Sequence, residues 1–110
     1  MANVIPSSAL SVLNRTLDAV RMKANADGEV FGGEIMDAMR DAGSAIGVDR
    51  LELLLIRTVV VKAMESLGES YPTDVLQNHE TRMRVSDAIK YLRQAIEWTS
   101  RAQNTSEGAA

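Results

Sequence analysis

The chain of 110 residues contains no cysteine, four aromatic residues and one histidine. The absence of cysteine excludes disulfide bonds, thiolate nucleophiles and cysteine-ligated metal sites, and it suits a reducing compartment. His79 has no cysteine or second histidine with which to complete a zinc site, so we expect a partly exposed helix residue. The spacing of the remaining polar residues indicates no nucleophile–base pair. We therefore expect no catalytic residues and no cofactor.

The sequence also lacks an uninterrupted apolar run and an excess of positive charge. Its longest apolar stretch is broken by Arg57 and Lys62, so we expect no membrane span. The N-terminus has neither the basic start nor the apolar core of a signal peptide. This predicts a cytoplasmic protein, with export that uses no cleaved signal as the alternative. A net charge of −3 and a pI near 5.1 argue against nucleic acid as a partner.

What the chain does contain is the composition of an ordinary globular protein, with 45% hydrophobic and 25% charged residues. Its length predicts one domain. Apolar residues recur mostly at spacings of three and four, which predicts an all-α fold, a compact irregular bundle of four helices, or five. We expect a flexible N-terminal arm at 1–7, a helical domain at 8–103 and a disordered tail at 104–110.

The segment 49–67 predicts a central hydrophobic helix. Asp49 is a good N-cap with Glu52 as its capping-box partner, and Gly68 follows where a C-terminal glycine is expected. A helix that is hydrophobic on most of its circumference has to be covered by other helices. We therefore expect four apolar residues to be almost fully buried: Leu54, Leu55, Val59 and Leu67. A narrow polar stripe is expected to face solvent: Thr58, Lys62 and Glu65.

The remaining helices are predicted by the same periodicity at about 8–25, 33–45 and within 74–103. The hydrophobic phase of the last segment changes after His79. This predicts either a short helix at 74–80 followed by a longer one at 81–102, or one bent helix. No segment alternates convincingly with period two, so we expect no strand, and no internal repeat is evident.

The most specific motif runs from Lys23 to Glu34 and resembles the back half of an EF-hand calcium loop. Asp27 occupies the fifth position, Gly28 the sixth and Glu34 the twelfth, which supplies a bidentate carboxylate in such loops. Lys23 stands at the first position, where a calcium loop needs an acidic oxygen. We therefore expect a tight interhelical turn. A degenerate divalent-metal site with Asp27 and Glu34 as candidate ligands is the alternative.

The same turn, Ala26-Asp27-Gly28-Glu29 followed by Glu34, is also similar to one in tellurite-resistance TerB-like helical domains. That resemblance covers only this short segment. It implies a helical domain and adds no further functional residue.

Three cations beside the polar stripe admit an enzymatic interpretation: Arg50, Arg57 and Lys62. Converging cations hold anionic substrates, so a small all-α enzyme with an anionic substrate is an alternative function. The simpler expectation is that these side chains pair with Glu52, with Glu65 or with carboxylates of the second helix.

The last helix carries more apolar arc than one small core requires. The surplus is a strip at helical spacing: Tyr91, Ala95, Trp98 and Ala102. Tyrosine and tryptophan are enriched at binding hot spots, so the strip predicts a partner interface. Cover for the domain's own core is the alternative. The function that we expect is a non-catalytic protein–protein interaction module of the bacterial or phage accessory type. It would self-associate or dock on a protein partner.

Overall fold

The structure, a computed structural model, describes the backbone of residues 5–109 and the side chains of residues 5–104. Within that range the fold is all-α, with five helices and one short two-stranded sheet. The element order is α1 (Ala9–Lys23), β1 (Glu29–Phe31), α2 (Gly32–Ile46), α3 (Arg50–Ser66), α4 (Pro72–Leu76), β2 (Arg82–Arg84) and α5 (Val85–Ala109). None of the described helices is long and apolar enough to cross a membrane.

The two ends of the chain differ in part from expectation. Residues 1–4 of the expected arm lie outside the described range, while Ile5 packs against the core and the Pro6 carbonyl accepts a bond from Gln103 at 3.3 Å. Helix α5 continues to Ala109, beyond the expected end near residue 103, because no proline and no glycine before Gly108 interrupts it. Disorder of the tail 104–110 stays a prediction.

The sheet was not expected from the sequence. β1 and β2 pair antiparallel with Val30 opposite Met83, and each strand has 3 residues. A strand of this length is too short for a period of two to be recognised. The strand β2 separates α4 from α5, so the first of the two alternatives for the segment 74–103 is confirmed.

Helix α5 packs against both α1 and α3. Its innermost residues are fully buried: Ala88, Leu92, Ala95 and Thr99. The Thr99 hydroxyl donates to the Ala95 carbonyl at 2.8 Å, and buried Thr16 of α1 does the same to Val12 at 2.7 Å. These bonds satisfy two hydroxyls that would otherwise be costly to bury.

Helix α3 begins and ends as predicted. The Asp49 carboxylate accepts the backbone N–H of Glu52 at 2.8 Å, and Gly68 has a φ of +100° just after the helix. The predicted polar stripe of Thr58, Lys62 and Glu65 is exposed.

The prediction of which face of α3 is buried was wrong. The buried residues are Ile56, Val60, Ala63 and Met64. Of the residues expected to be almost fully buried, Leu54 is 46% and Leu67 39% exposed, while Leu55 and Val59 are half-buried. The physical reason is that leucine and valine surround most of this helix, so periodicity alone does not select the arc that faces α5.

Candidate functional site

The motif between α1 and α2 is a turn closed by one asparagine side chain. Asn25 Oδ1 accepts the backbone N–H groups of Asp27 and Glu29, both at 2.9 Å. The Asn25 N–H in turn donates to the Glu29 carbonyl at 2.9 Å, and Gly28 adopts a φ of +74°. In an EF-hand loop the carbonyl at this seventh position binds calcium, whereas here it accepts a backbone hydrogen bond.

The segment between α4 and α5 repeats this arrangement. Asn78 Oδ1 accepts the backbone N–H groups of Glu80 and Thr81. Asn25 and Asn78 are 53 residues apart, as are Gly32 and Val85, the first residues of α2 and α5. Two helix–loop–helix units therefore have similar loops, although Asn25 accepts from the second and fourth residues after it and Asn78 from the second and third.

Reciprocal hydrogen bonds join the two loops. The Gly28 carbonyl accepts the N–H of Val85 at 2.8 Å, and the Thr81 carbonyl accepts that of Gly32 at 3.5 Å. The units are thus related by an approximate two-fold axis near the Val30–Met83 pair. The sequence analysis missed this repeat. Its signal is faint, because only single positions such as the two asparagines are identical.

The two candidate metal ligands are not brought together as ligands. Glu34 Oε1 accepts the N–H of Phe31 at 2.8 Å and so caps the start of α2, whereas Asp27 is exposed in the turn. Among the described residues, no group of three or more histidine, aspartate or glutamate side chains is arranged to hold a metal ion. That the loop binds no metal stays a prediction.

His79 was expected to be a partly exposed helix residue. It is exposed, but it lies in the second loop and not in a helix. Its Nε2 is 2.9 Å from Asp37 Oδ2 on α2. Directly beneath the imidazole is Gly33, where a Cβ atom would come within 2.4 Å of the ring. At Gly32 a Cβ would come within 2.0 Å of the Val75 carbonyl oxygen. Glycine is therefore required at position 32, where the obstacle is backbone, whereas a larger residue at position 33 would displace the His79 ring. The pair between His79 and Asp37 attaches the second loop to α2.

The three cations of α3 do not converge on one point. Arg50 and Arg57 are seven residues apart and lie on one side of the helix, while Lys62 lies on another. The expected ion pairs are absent, since none of the three pairs with a described carboxylate. Glu52 instead accepts a hydrogen bond from Ser8 Oγ at 2.9 Å. Arg57 Nη2 is buried and has no hydrogen-bond partner among the described residues.

The strip on α5 faces α3. Tyr91 donates a long hydrogen bond of 3.5 Å to Glu69, just after α3, and the other strip residues follow at helical spacing on the same side. Ala95 is 0% exposed and is therefore covered within its own chain, while a partner interface along the rest of the strip stays a prediction. Tyr91, Trp98 and Ala102 are half-buried. The pKa of Tyr91 is raised by burial and by the nearby carboxylates of Glu69 and Asp87.

Three exposed apolar residues lie close together in the sequence where α2 meets α3, whereas exposed Met22, Leu67 and Tyr71 lie elsewhere in the described part of the chain. Leu51 is 67%, Leu54 46% and Ile46 36% exposed. Leu51 and Leu54 are three residues apart and therefore neighbours on the outer side of α3. We call these three residues, together with the cleft described next, the α2–α3 face.

The cleft in the α2–α3 face has a volume of about 370 Å³. Its apolar lining comes from Gly43, Val48 and Leu53, and its charged lining from Arg40, Asp49 and Arg50. The two helices are in contact at Gly43, where a Cβ would lie 3.4 Å from Leu53 Cδ1. A small depression with an apolar lining, edged by two arginines and one aspartate, thus lies beside the residue before exposed Leu54.

Comparison with protein-family models, with curated proteins and with solved structures gives no match. The function has to be inferred from the surface and the loops described above.

Proposed function

We propose that this protein is a small non-catalytic helical module that binds protein, a partner or a second copy, through the α2–α3 face. The observation that carries the proposal is the exposure of Leu51 and Leu54 in the first two turns of α3. Full burial of a leucine contributes about 1.5–3 kcal/mol, and each of these partly exposed residues gains only a fraction of it. A covering protein surface would supply that burial.

The position of these leucines supports a docking surface. Single exposed apolar residues are common on monomers and need no explanation. Here Ile46, Leu51 and Leu54 are exposed within nine residues of chain and lie next to an open cleft with an apolar lining. Clustered apolar surface rimmed by charge is typical of binding sites.

The polar groups of the loops support a non-catalytic function. Asn25 and Asn78 close their turns, Glu34 caps α2, and Glu52 is bonded to Ser8. Each of these side chains therefore already has a structural role. No observation among the described residues favours the alternative functions, metal binding or catalysis on an anionic substrate, over protein binding.

Photo-crosslinking tests the proposal. A benzoylphenylalanine replaces Leu54, and a matched variant carries it at Lys90, an exposed residue of α5. We expect irradiation in the protein's own cells to give one discrete adduct from position 54. Its mass, by mass spectrometry, distinguishes a homodimer from a complex with another protein.

The control position decides whether an adduct is specific. An adduct at 54 that is absent at 90 supports the proposal, and so does a dimer in sedimentation velocity that Leu54→Gln dissociates. The proposal fails if position 54 gives no adduct and the purified protein is monomeric at high concentration.

A further inference from the structure

The second loop carries a side chain whose charge responds to pH near neutrality. Histidine is the only side chain that ordinarily changes its charge between about pH 5 and 8. The chain contains a single histidine and no cysteine. Among the side chains, His79 is therefore the one to which a structural response within that range is traced.

The second loop is held against α2 by one backbone bond and one side-chain bond. The Asn78 carbonyl accepts the backbone N–H of Gly33 at 2.8 Å. The next residue, His79, lies with its ring against Gly33 and with its Nε2 atom 2.9 Å from Asp37 Oδ2. The backbone bond is independent of pH, whereas the strength of the side-chain bond depends on the charge of the imidazole.

The direction of that dependence follows from the chemistry of the pair. An ionised carboxylate only accepts hydrogen bonds, so the imidazole is the donor. A neutral imidazole donates an ordinary bond, and a protonated one donates a charge-assisted bond that is roughly twice as strong. While Asp37 is ionised, protonation of His79 therefore strengthens the attachment of the loop. This contribution is present at the acid end of the range and is lost as the pH rises through it.

The charges beside the imidazole are mostly negative. Asp37 on α2 is shared with Arg40 at 3.2 Å. Asp74 on α4 and Glu80 in the loop line the same polar depression as His79, with a volume of about 540 Å³. A positive imidazole thus has three carboxylates and one arginine as neighbours.

The other charged groups of the adjoining elements are engaged elsewhere. Glu34, which follows Gly33 on α2, is bonded to the N–H of Phe31. Arg82 of β2 is 3.9 Å from Glu29 on the paired strand. Neither of them competes for the bond between the imidazole and Asp37.

The pair lies beside the longer of the two bonds that join the loops. Thr81, two residues after His79, accepts the N–H of Gly32 at 3.5 Å, whereas Val85 donates to Gly28 at 2.8 Å. Backbone bonds usually measure about 2.7–3.2 Å, so the bond at Thr81 is a weak one. On this side of the joint, the bond between His79 and Asp37 therefore contributes much of the attachment.

We propose that His79 and Asp37 form a pH-sensitive latch between the two helix–loop–helix units. A fall from about pH 8 to about pH 5 charges the imidazole, strengthens its bond to Asp37 and tightens the joint between the loops. A rise in pH reverses these changes. The latch involves the loops and not the α2–α3 face, so it is independent of the proposed function.

Hydrogen exchange of the intact protein, followed by NMR at pH ~5.5 and ~7.5, tests the latch. The probes are the amides of Gly32 and Gly33, because they donate to Thr81 and Asn78 of the second loop. Each rate is divided into the intrinsic exchange rate at the same pH, so that only protection is compared. We expect protection at both amides to be about twofold to fivefold higher at the lower pH, the factor that a half-exposed ion pair supports.

Three variants identify the groups responsible. His79→Gln retains a donor for Asp37 but has no charge to gain, and Asp37→Asn retains the shape of the acceptor without its charge. We expect both to remove the pH dependence of protection. Asp18→Asn is the matched control, since Asp18 is an exposed aspartate that also pairs with an arginine three residues later, and it should keep the dependence. Circular dichroism melting at both pH values verifies that each variant is folded.

Three outcomes would overturn the latch. The first is equal protection at the two pH values in the wild-type protein. The second is a pH dependence that persists in His79→Gln, because another group then causes it. The third is a dependence that His79→Gln removes and Asp37→Asn retains, since the imidazole would then act through a different carboxylate.

Discussion

Helices α3 and α5 both carry more apolar surface than a helix on a single small core needs. They differ in how much of that surface the rest of the chain covers. The surplus surface of α5 is covered within the chain, since Ala95 is fully buried, Tyr91 is half-buried with a bond to Glu69 just after α3, and α5 packs against α3. The surplus surface of α3 has no such cover, and Leu51 and Leu54 stay exposed. An excess of apolar arc therefore indicates an interface only after the neighbouring helices have been taken into account.

The difference follows from position in the bundle. Helix α5 packs against α1 on one side and α3 on the other. Contacts at both ends show that α3 and α5 run in opposite directions. Glu69, after the end of α3, meets Tyr91 near the start of α5, while the N-terminal segment contacts both Glu52 and Gln103. The outer side of α3 is left without a neighbour among the described residues.

Matched leucine substitutions should show the largest difference between the two helices. Leu92 of α5 is 0% exposed and Leu54 of α3 46% exposed. We expect Leu92→Ala to lower the free energy of unfolding by about 2–5 kcal/mol, because it leaves a cavity. Leu54→Ala should cost less than about 1 kcal/mol, because water already reaches that side chain. Urea denaturation of the two variants measures both values.

Equal destabilisation by the two substitutions would contradict the difference in burial between Leu92 and Leu54. It would mean that Leu54 is buried in the folded protein, and the α2–α3 face would then offer little apolar surface to a partner.

The sequence predicted the class of fold and most helices, since spacings of three and four and the cap at Asp49 are local signals. It did not predict the orientation of α3, because the residues around that helix are similar in hydrophobicity and only tertiary contacts distinguish Ile56 from Leu54. The pairing of β1 with β2 was missed for a related reason. The strand residues Val30 and Met83 are far apart in the sequence, and neither strand is long enough to be recognised alone.

Trp98→Ala should give the second largest effect. Trp98 was expected to be a contact for a partner, and in the structure it is half-buried against the core of its own chain. We therefore expect a loss of about 2 kcal/mol in stability, below the ~3–5 kcal/mol of a fully buried tryptophan. Thermal unfolding measures this loss, and sedimentation velocity of the same variant measures association.

The substitution on α3 to be compared with Trp98→Ala is Leu51→Ala, at a residue that is 67% exposed. It should leave the melting temperature nearly unchanged. If Trp98→Ala instead weakened association and left stability intact, the strip on α5 would be the interface, and the assignment to α3 would be wrong.

Substitutions at the residues that precede α3 and α5 should have a smaller effect on stability. Helix α3 starts at the side-chain cap of Asp49, whereas the loop before α5 is closed by Asn78. We expect Asp49→Ala and Asn78→Ala each to lower the free energy of unfolding by about 1 kcal/mol, because each leaves backbone N–H groups without an acceptor. Hydrogen exchange should then show local opening at the start of α3 in the first variant, and around the paired loops in the second.

The loops test how far the candidate site was predictable. Counted from Lys23, Asn25 is the third position of the motif that resembles a calcium loop, and that position does not predict its observed role. Its observed role is to accept two backbone N–H groups, and Asn78 does the same 53 residues later. If hydrogen exchange in Asn78→Ala increased only in the loop of Asn78, the bond between Gly28 and Val85 would not couple the two units.

The smallest expected effect concerns the contact that joins the two helices, at Tyr91. Burial, and then the charges of Glu69 and Asp87, raise the pKa of this phenol above 10.0 in the folded protein. The unfolded chain therefore loses the Tyr91 proton at lower pH than the folded chain. The resulting contribution to stability is present below pH 10 and is lost as the pH rises through the folded pKa. Tyr91→Phe should change stability at pH ~7 by no more than about 0.5 kcal/mol, because the bond to Glu69 is long.

Above pH 10 the difference in stability between the wild type and Tyr91→Phe should become larger. The wild-type protein should lose stability more steeply than Tyr91→Phe as the pH rises, since the variant has no phenol to ionise against Glu69. Tyr71→Phe is the matched control, because Tyr71 is 70% exposed and its side chain is not enclosed by either helix. Urea midpoints measured across this pH range should follow the wild type for Tyr71→Phe and diverge for Tyr91→Phe. Parallel curves for all three proteins would show that Tyr91 is solvated in the folded state, and α3 would then not cover the α5 strip at this end.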